Sequence, residues 1–180
     1  MLRVRMLCGI MLLSTTWAFA QSPDPNLKLA PLFRDNAVLQ RDMPVPVWGW
    51  ATPGAQVTVE FGGQTKSATA DGTGAWRTSL DAMAAHASSR SLTATSGSTT
   101  LTVWNVLVGE VWLCSGQSNM DHPVAGWFDG TNRISPVTNA AAEIAAATYP
   151  TMRMFTVPKV SASTPAADVG GGWQLTTPDT

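Results

Sequence analysis

Ser118, within the stretch Gly109 to Met120 (GEVWLCSGQSNM), is the side chain of this sequence best placed to do chemistry. A serine hydroxyl attacks a carbonyl only when a base removes its proton, and the charge developing on the substrate oxygen needs donors fixed beforehand. Gly116 lets the backbone turn tightly, and Gln117 and Asn119 flank the serine as possible site neighbours. If a helix starts there, the backbone N–H of Ser118 supplies one oxyanion donor, helped by the helix N-terminus. Ser115 abuts the apolar run and is expected to be taken up in strand hydrogen bonding. Cys114 reads as a small core residue rather than a thiol nucleophile. The spacing Gly116-x-Ser118 lacks the second glycine of a nucleophile elbow, because Met120 stands there. The chemistry indicated is acyl transfer through a serine.

The base is harder to find. The sequence holds two histidines. His86 lies among small residues and reads as a solvated loop histidine. His122 is close to Ser118 in sequence, but a base is judged by its geometry, not its proximity along the chain. Asp71-Gly72-Thr73-Gly74 is a tight turn rather than a calcium loop, since no ligand set follows it. The sequence therefore offers no metal site and calls for no cofactor.

The elements around Ser118 read as the beginning of an α/β unit. The apolar run Val111 to Cys114, bounded by turn residues, suits a strand buried on both faces of a parallel sheet. Ligands in open α/β sheets bind beyond the carboxyl ends of such strands. Asp121 to Asn132 reads as a loop beside the site. Thr138 or Asn139 can cap an alanine-rich helix through Ala140 to Thr148, which Tyr149-Pro150 ends. Met152 to Val157 is a second apolar strand, and Thr164 to Trp173 returns to loop. Strand, helix and strand in that order predict a parallel βαβ unit. Two strands and one helix cannot cover their own apolar faces, so residues 106–180 are expected to be the first part of a longer, incomplete domain.

Residues 21–105 read differently. Short strand-like segments alternate with glycine and proline turns: Val45 to Trp50, Gln56 to Phe61, Thr65 to Ala70, Ala75 to Thr78, Leu92 to Thr95 and Thr99 to Val103. Gly62-Gly63 and Ser96-Gly97-Ser98 are hairpin signals. Pro46 marks its strand as an edge. The spacing predicts a β-sandwich-like domain. Trp48, Trp50 and Trp76 could stack on sugar rings, but filling a small core is the favoured reading.

Residues 1–20 read as a signal peptide, with Arg3 and Arg5, an apolar Met6 to Leu13, and Ala18-Phe19-Ala20 before Gln21. The apolar run falls short of the ~20 residues that span a bilayer. A secreted or periplasmic protein, with no membrane attachment after cleavage, is the expectation. Cys114 then remains as the only cysteine, so no internal disulfide can form. A net charge of −1 with 13% charged residues leaves no basic footprint for nucleic acid. With 44% hydrophobic residues the chain can build a real core.

The block Gly109-Glu110-Val111-Trp112-Leu113-Cys114-Ser115-Gly116-Gln117-Ser118-Asn119-Met120 resembles the nucleophile block of the sialate O-acetylesterase family, a branch of the SGNH (GDSL-like) hydrolases. Upstream, Leu32-Phe33, Asp35-Asn36, Val38-Leu39-Gln40 and Pro46-Val47-Trp48-Gly49 resemble the opening of the family's N-terminal β domain. Downstream, Glu143-Ile144, Tyr149-Pro150, Arg153, Phe155, Val157-Pro158 and Gly172-Trp173 fit the segment after the serine. Asp121-His122-Pro123 departs from the Glu-Met-Pro the family often shows. The resemblance implies a mixed fold, an all-β sandwich-like domain followed by the start of an SGNH, flavodoxin-like parallel-sheet domain. It also implies a serine esterase that removes acetyl groups from sugar hydroxyls, with sialic acid or another acetylated sugar as substrate. Ser118 matches the family's nucleophile. The family's remaining oxyanion residues and its Asp-x-x-His pair come from later blocks, so these residues alone are expected to be inactive. The competing expectation is a non-catalytic glycan-binding or accessory β module with a vestigial hydrolase segment.

Overall fold

The computed structural model describes residues 21–166 and 168–180. The signal-peptide reading of residues 1–20 lies outside the described residues.

Two sheets face one another. The smaller holds β1 (Lys28–Leu29), β3 (Val45–Trp50) and β6 (Ala75–Leu80) in the order β1-β3-β6. The larger holds β2 (Val38–Gln40), β4 (Gln56–Phe61), β5 (Gln64–Thr69), β7 (His86–Ser96) and β8 (Thr99–Gly109) in the order β2-β8-β7-β4-β5. Pairing in both is antiparallel except between β2 and β8, which run parallel. Val45 and Val47 on β3, Val57, Val59 and Phe61 on β4, and Leu92 and Ala94 on β7 are buried at every second position. That alternation turns one face of each strand into a shared core, which is what a sandwich requires. Trp76 is buried within it, and Trp48 and Trp50 pack against it half-buried, so the core reading of these rings holds.

The turns do what their residues dictate. Gly62 and Gly63, at φ +59° and +82°, close the β4–β5 hairpin with the positive φ values that a tight two-residue turn needs. Asp71 accepts hydrogen bonds from the Thr73 and Ala75 amides, holding the turn before β6. At Pro46 the edge expectation is met in part. Strand β3 lies between two neighbours, but β1 pairs only with Gly49 and Trp50 and never reaches the proline. Just beyond that short pairing, the Ala30 amide donates to Trp48 O.

Beyond Gly109 the expectations fare less well. Val111 to Cys114 forms no strand and is exposed, Trp112 at 81% and Leu113 at 91%. Cys114 is exposed too, not a core residue. A run suited to burial on both faces becomes a strand only when flanking strands pair with it, and among the described residues none does. The helix is real but shorter, α1 (Ala140–Ala146), and Asn139 precedes it at φ 61° without a side-chain cap. Strand β11 (Tyr149–Phe155) begins three residues earlier than the sequence predicts. It pairs antiparallel with β12 (Trp173–Thr176), which begins where the predicted loop ends, instead of joining a parallel βαβ unit. A small hairpin, β9 (Trp127–Phe128) with β10 (Arg133–Ile134), starts inside the expected loop and ends just past it. Among the described residues, the buried hydrophobic side chains fall between Leu27 and Val108, whereas the large exposed ones, Met43 apart, lie from Trp104 onward.

Candidate active site

Strand β8 carries the chain out of the sandwich at Gly109, beside the end of β2, where Gln40 is paired with Gly109. The Gln40 carboxamide takes over at that point. Its Oε1 accepts the Val111 amide at 2.8 Å, and its Nε2 donates to Glu110 Oε2 at 3.2 Å. Arg41 Nε stands 3.7 Å from the same carboxylate and 2.6 Å from Asp42.

Ser118 opens a short 3-10 turn, Ser118–Asp121, closed by the Met120 amide on Gln117 O at 2.8 Å. The first amides of such a turn have no partner inside it, the Ser118 N–H among them. Gly116 does not take a positive φ, and a Cβ there would come within 2.7 Å of Cγ of the Met120 side chain, which would have to give way. Gly116, Gln117, Ser118 and Asn119 are all exposed, and so is Ser115, whose expected place in a strand ladder does not exist. Burial therefore does not separate the two serines, and Ser118 differs from Ser115 in opening the 3-10 turn.

Among the described residues no side chain hydrogen-bonds the Ser118 hydroxyl. His122, which follows the turn, has Nδ1 at 3.0 Å from Pro123 O and its ring edge-on to Trp127, centroids 5.7 Å apart. His86 stands at the start of β7, where Nδ1 meets the Ser88 amide at 3.2 Å. Asp121 forms an ion pair with Lys159. Asp129 accepts the Asn132 and Thr131 amides, which together hold its carboxyl below the ordinary carboxylate value. It stays charged but serves a turn, not the serine. No three metal-ligating side chains gather among the described residues.

Sequence reasoning missed the roles of Trp173 and Gln40. The Trp173 ring packs against the sandwich core and fixes β12 there. The signal for Gln40 is a polar residue ending a strand of apolar neighbours, Val38 and Leu39.

No protein-family model matches the chain. The crystal structure of a carbohydrate acetylesterase from Xanthomonas citri superposes with a TM-score of 0.74 at 40% identity, covering 84% of this chain and 33% of that one. At that identity the likeness to an esterase is one of ancestry as well as shape. Sialate O-acetylesterase from Rattus norvegicus is 31% identical over 173 residues, covering 91% of this chain and 30% of its own. The Homo sapiens protein of the same name is 32% identical over 171 residues, covering 89% and 31%. The chain is a homologue of the sialate O-acetylesterases, as its Gly109 to Met120 block indicated. It spans about 30% of the length of these curated relatives.

Proposed function

We propose that this chain carries the nucleophile of a carbohydrate O-acetylesterase that works through an acetyl-enzyme on Ser118. The observation that carries the reading is Ser118 at the head of an exposed turn, delivered there by β8, in a chain homologous to the sialate O-acetylesterases. Ser118 Oγ adds to the acetyl carbonyl carbon as a base takes its proton. The sugar oxygen then leaves with a proton, and water cleaves the acetyl-enzyme to give acetate and free serine. The Ser118 amide stabilises the oxyanion. The base and the remaining donors come from parts of the protein beyond these residues.

In the same reading, Val111 to Cys114 becomes a strand of an SGNH-type parallel sheet once its neighbours are in place. The exposed Trp112 and Leu113 are the support for that step. The signal-like residues 1–20 direct the protein to the periplasm or outside the cell, where acetylated glycans, including sialic acids, are the substrates.

The test is acetate release from O-acetylated sugars by the full-length protein and its Ser118→Ala variant. Turnover should fall roughly 10⁶-fold, the scale on which losing a serine nucleophile acts. Unchanged turnover in the variant sinks the assignment. A wild-type protein that binds acetylated glycans but releases no acetate supports the accessory-module reading instead.

A further inference from the structure

We infer that Gln40, on the β-sandwich, is a positioning residue for the nucleophile turn, an inference that rests on the esterase reading of Ser118. The chain between the last core residue of β8, Val108, and the 3-10 turn at Ser118 has no regular structure after Gly109. Among the described residues, the polar side-chain contacts of residues 110–116 are those with Gln40 and Arg41. Strand β2 ends at Gln40, and the Arg41 amide makes the last backbone bond of that edge, to Gly109 O at 3.0 Å. From there the Gln40 side chain continues the ladder in place of main chain. One carboxamide offers an acceptor and a donor at a fixed separation. The acceptor holds the Val111 amide at 2.8 Å, and the donor holds Glu110 at 3.2 Å, with a further contact to Arg41 O at 3.3 Å. Gln40 itself is half-buried, while its bonds to Val111 and Glu110 lie at the surface.

The clamp fixes the direction in which the chain leaves the sandwich toward Ser118. An error of about 1 Å in a reacting group can cost about 10²-fold in rate. Gln40 acts through the Val111 backbone and the Glu110 side chain, never on the substrate. Its replacement should therefore lower kcat while leaving KM within about twofold.

The decisive property is the direction of the Gln40–Glu110 bond. Gln40→Glu is isosteric and keeps an acceptor for the Val111 amide, but it sets a carboxylate against the Glu110 carboxylate. Adding Glu110→Gln exchanges donor and acceptor and restores the bond.

The experiment has two arms. In the 180-residue chain, hydrogen exchange of the Val111 amide should speed up at least tenfold in Gln40→Leu. It should speed up by less in Gln40→Glu and return toward wild type in the double variant. In the full-length protein, kcat for acetate release should fall about 10–100-fold in Gln40→Glu and recover in the double variant. Exchange unchanged in Gln40→Leu, or no recovery in the double variant, overturns the inference. Wild-type protein that releases no acetate while the exchange arm behaves as stated overturns the esterase reading and leaves the clamp standing.

Discussion

Trp173 Nε1 donates to the backbone oxygen of Leu32 at 2.9 Å, so the hairpin β11–β12 is fastened to the sandwich by a residue 141 positions away in sequence. The ring also meets Phe155 edge-on, centroids 5.4 Å apart, and Arg34 reaches over to Gly171 O at 2.9 Å. The Trp173 indole and the Arg34 guanidinium thus tie the segment around β12 to the sandwich. Trp173→Ala should cost about 2–4 kcal/mol, less than a fully buried tryptophan because the ring is only half-buried. Trp173→Phe keeps the ring stack and loses the hydrogen bond, costing about 1 kcal/mol. Urea denaturation monitored by circular dichroism measures both. Equal losses would mean the hydrogen bond, not the packing, holds the hairpin.

Among the described residues, Asp24 is the one buried carboxylate of the sandwich. Burial raises its pKa, but hydrogen bonds from the Thr52 and Ser96 hydroxyls and the Asn26 and Thr52 amides outweigh it and bring the pKa below the ordinary 3.8. A carboxylate with a depressed folded pKa adds stability that is complete above its unfolded value. That stability is lost as pH falls through the folded value. Asp24→Asn keeps the size and loses the charge and two acceptor sites, and should cost about 1–3 kcal/mol at neutral pH. Stability of both proteins measured by urea titration from about pH 6 to about pH 2.5 should show a gap that is constant above about pH 4 and narrows below it. A gap that widens on acidification would contradict the assignment.

Gly49 has a different constraint. A Cβ there would lie 2.0 Å from Lys28 O and 2.9 Å from the Trp76 ring, so Gly49→Ala must push β1 off β3. A loss of about 2–3 kcal/mol is expected, the cost of overpacking. Gly63→Ala is the control, since its φ of +82° is strained for alanine but the space around it is open. It should cost about 1 kcal/mol. Thermal unfolding of the two variants distinguishes crowding from backbone strain, and a larger loss for Gly63→Ala would refute the close approach.

The sandwich is legible in the sequence because its determinants are local. Alternating Val57, Val59 and Phe61, the Gly62-Gly63 turn and the Asp71 turn each specify their own geometry within a few residues. The run Val111 to Cys114 is not, because a strand buried on both faces depends on neighbours that the run itself does not encode. Strand β12 escapes for a related reason. Gly170-Gly171-Gly172 signals a loop, whereas Trp173 is drawn into a strand by the docking of its ring on a distant surface. Ser118 can be singled out by residue type and by resemblance, but the Gln40 contact links positions 70 apart, and the polar end of the Val38-Leu39-Gln40 run does not say which residue it meets.

His122 supplies the last test, because it is the histidine nearest Ser118 in sequence. Its Nδ1 faces Pro123 O and its ring leans on Trp127, so the ring is held by its own loop and no hydrogen bond joins it to the serine. A serine without a base is a poor nucleophile at neutral pH. The 180-residue chain should therefore hydrolyse 4-nitrophenyl acetate no faster than its Ser118→Ala variant. In the full-length protein, His122→Ala should lower acetate release by less than about tenfold, against the roughly 10⁶-fold loss expected for Ser118→Ala. Initial rates near neutral pH with purified proteins measure both. Rapid hydrolysis by the short chain that disappears in both Ser118→Ala and His122→Ala would make His122 the base and this loop a complete site.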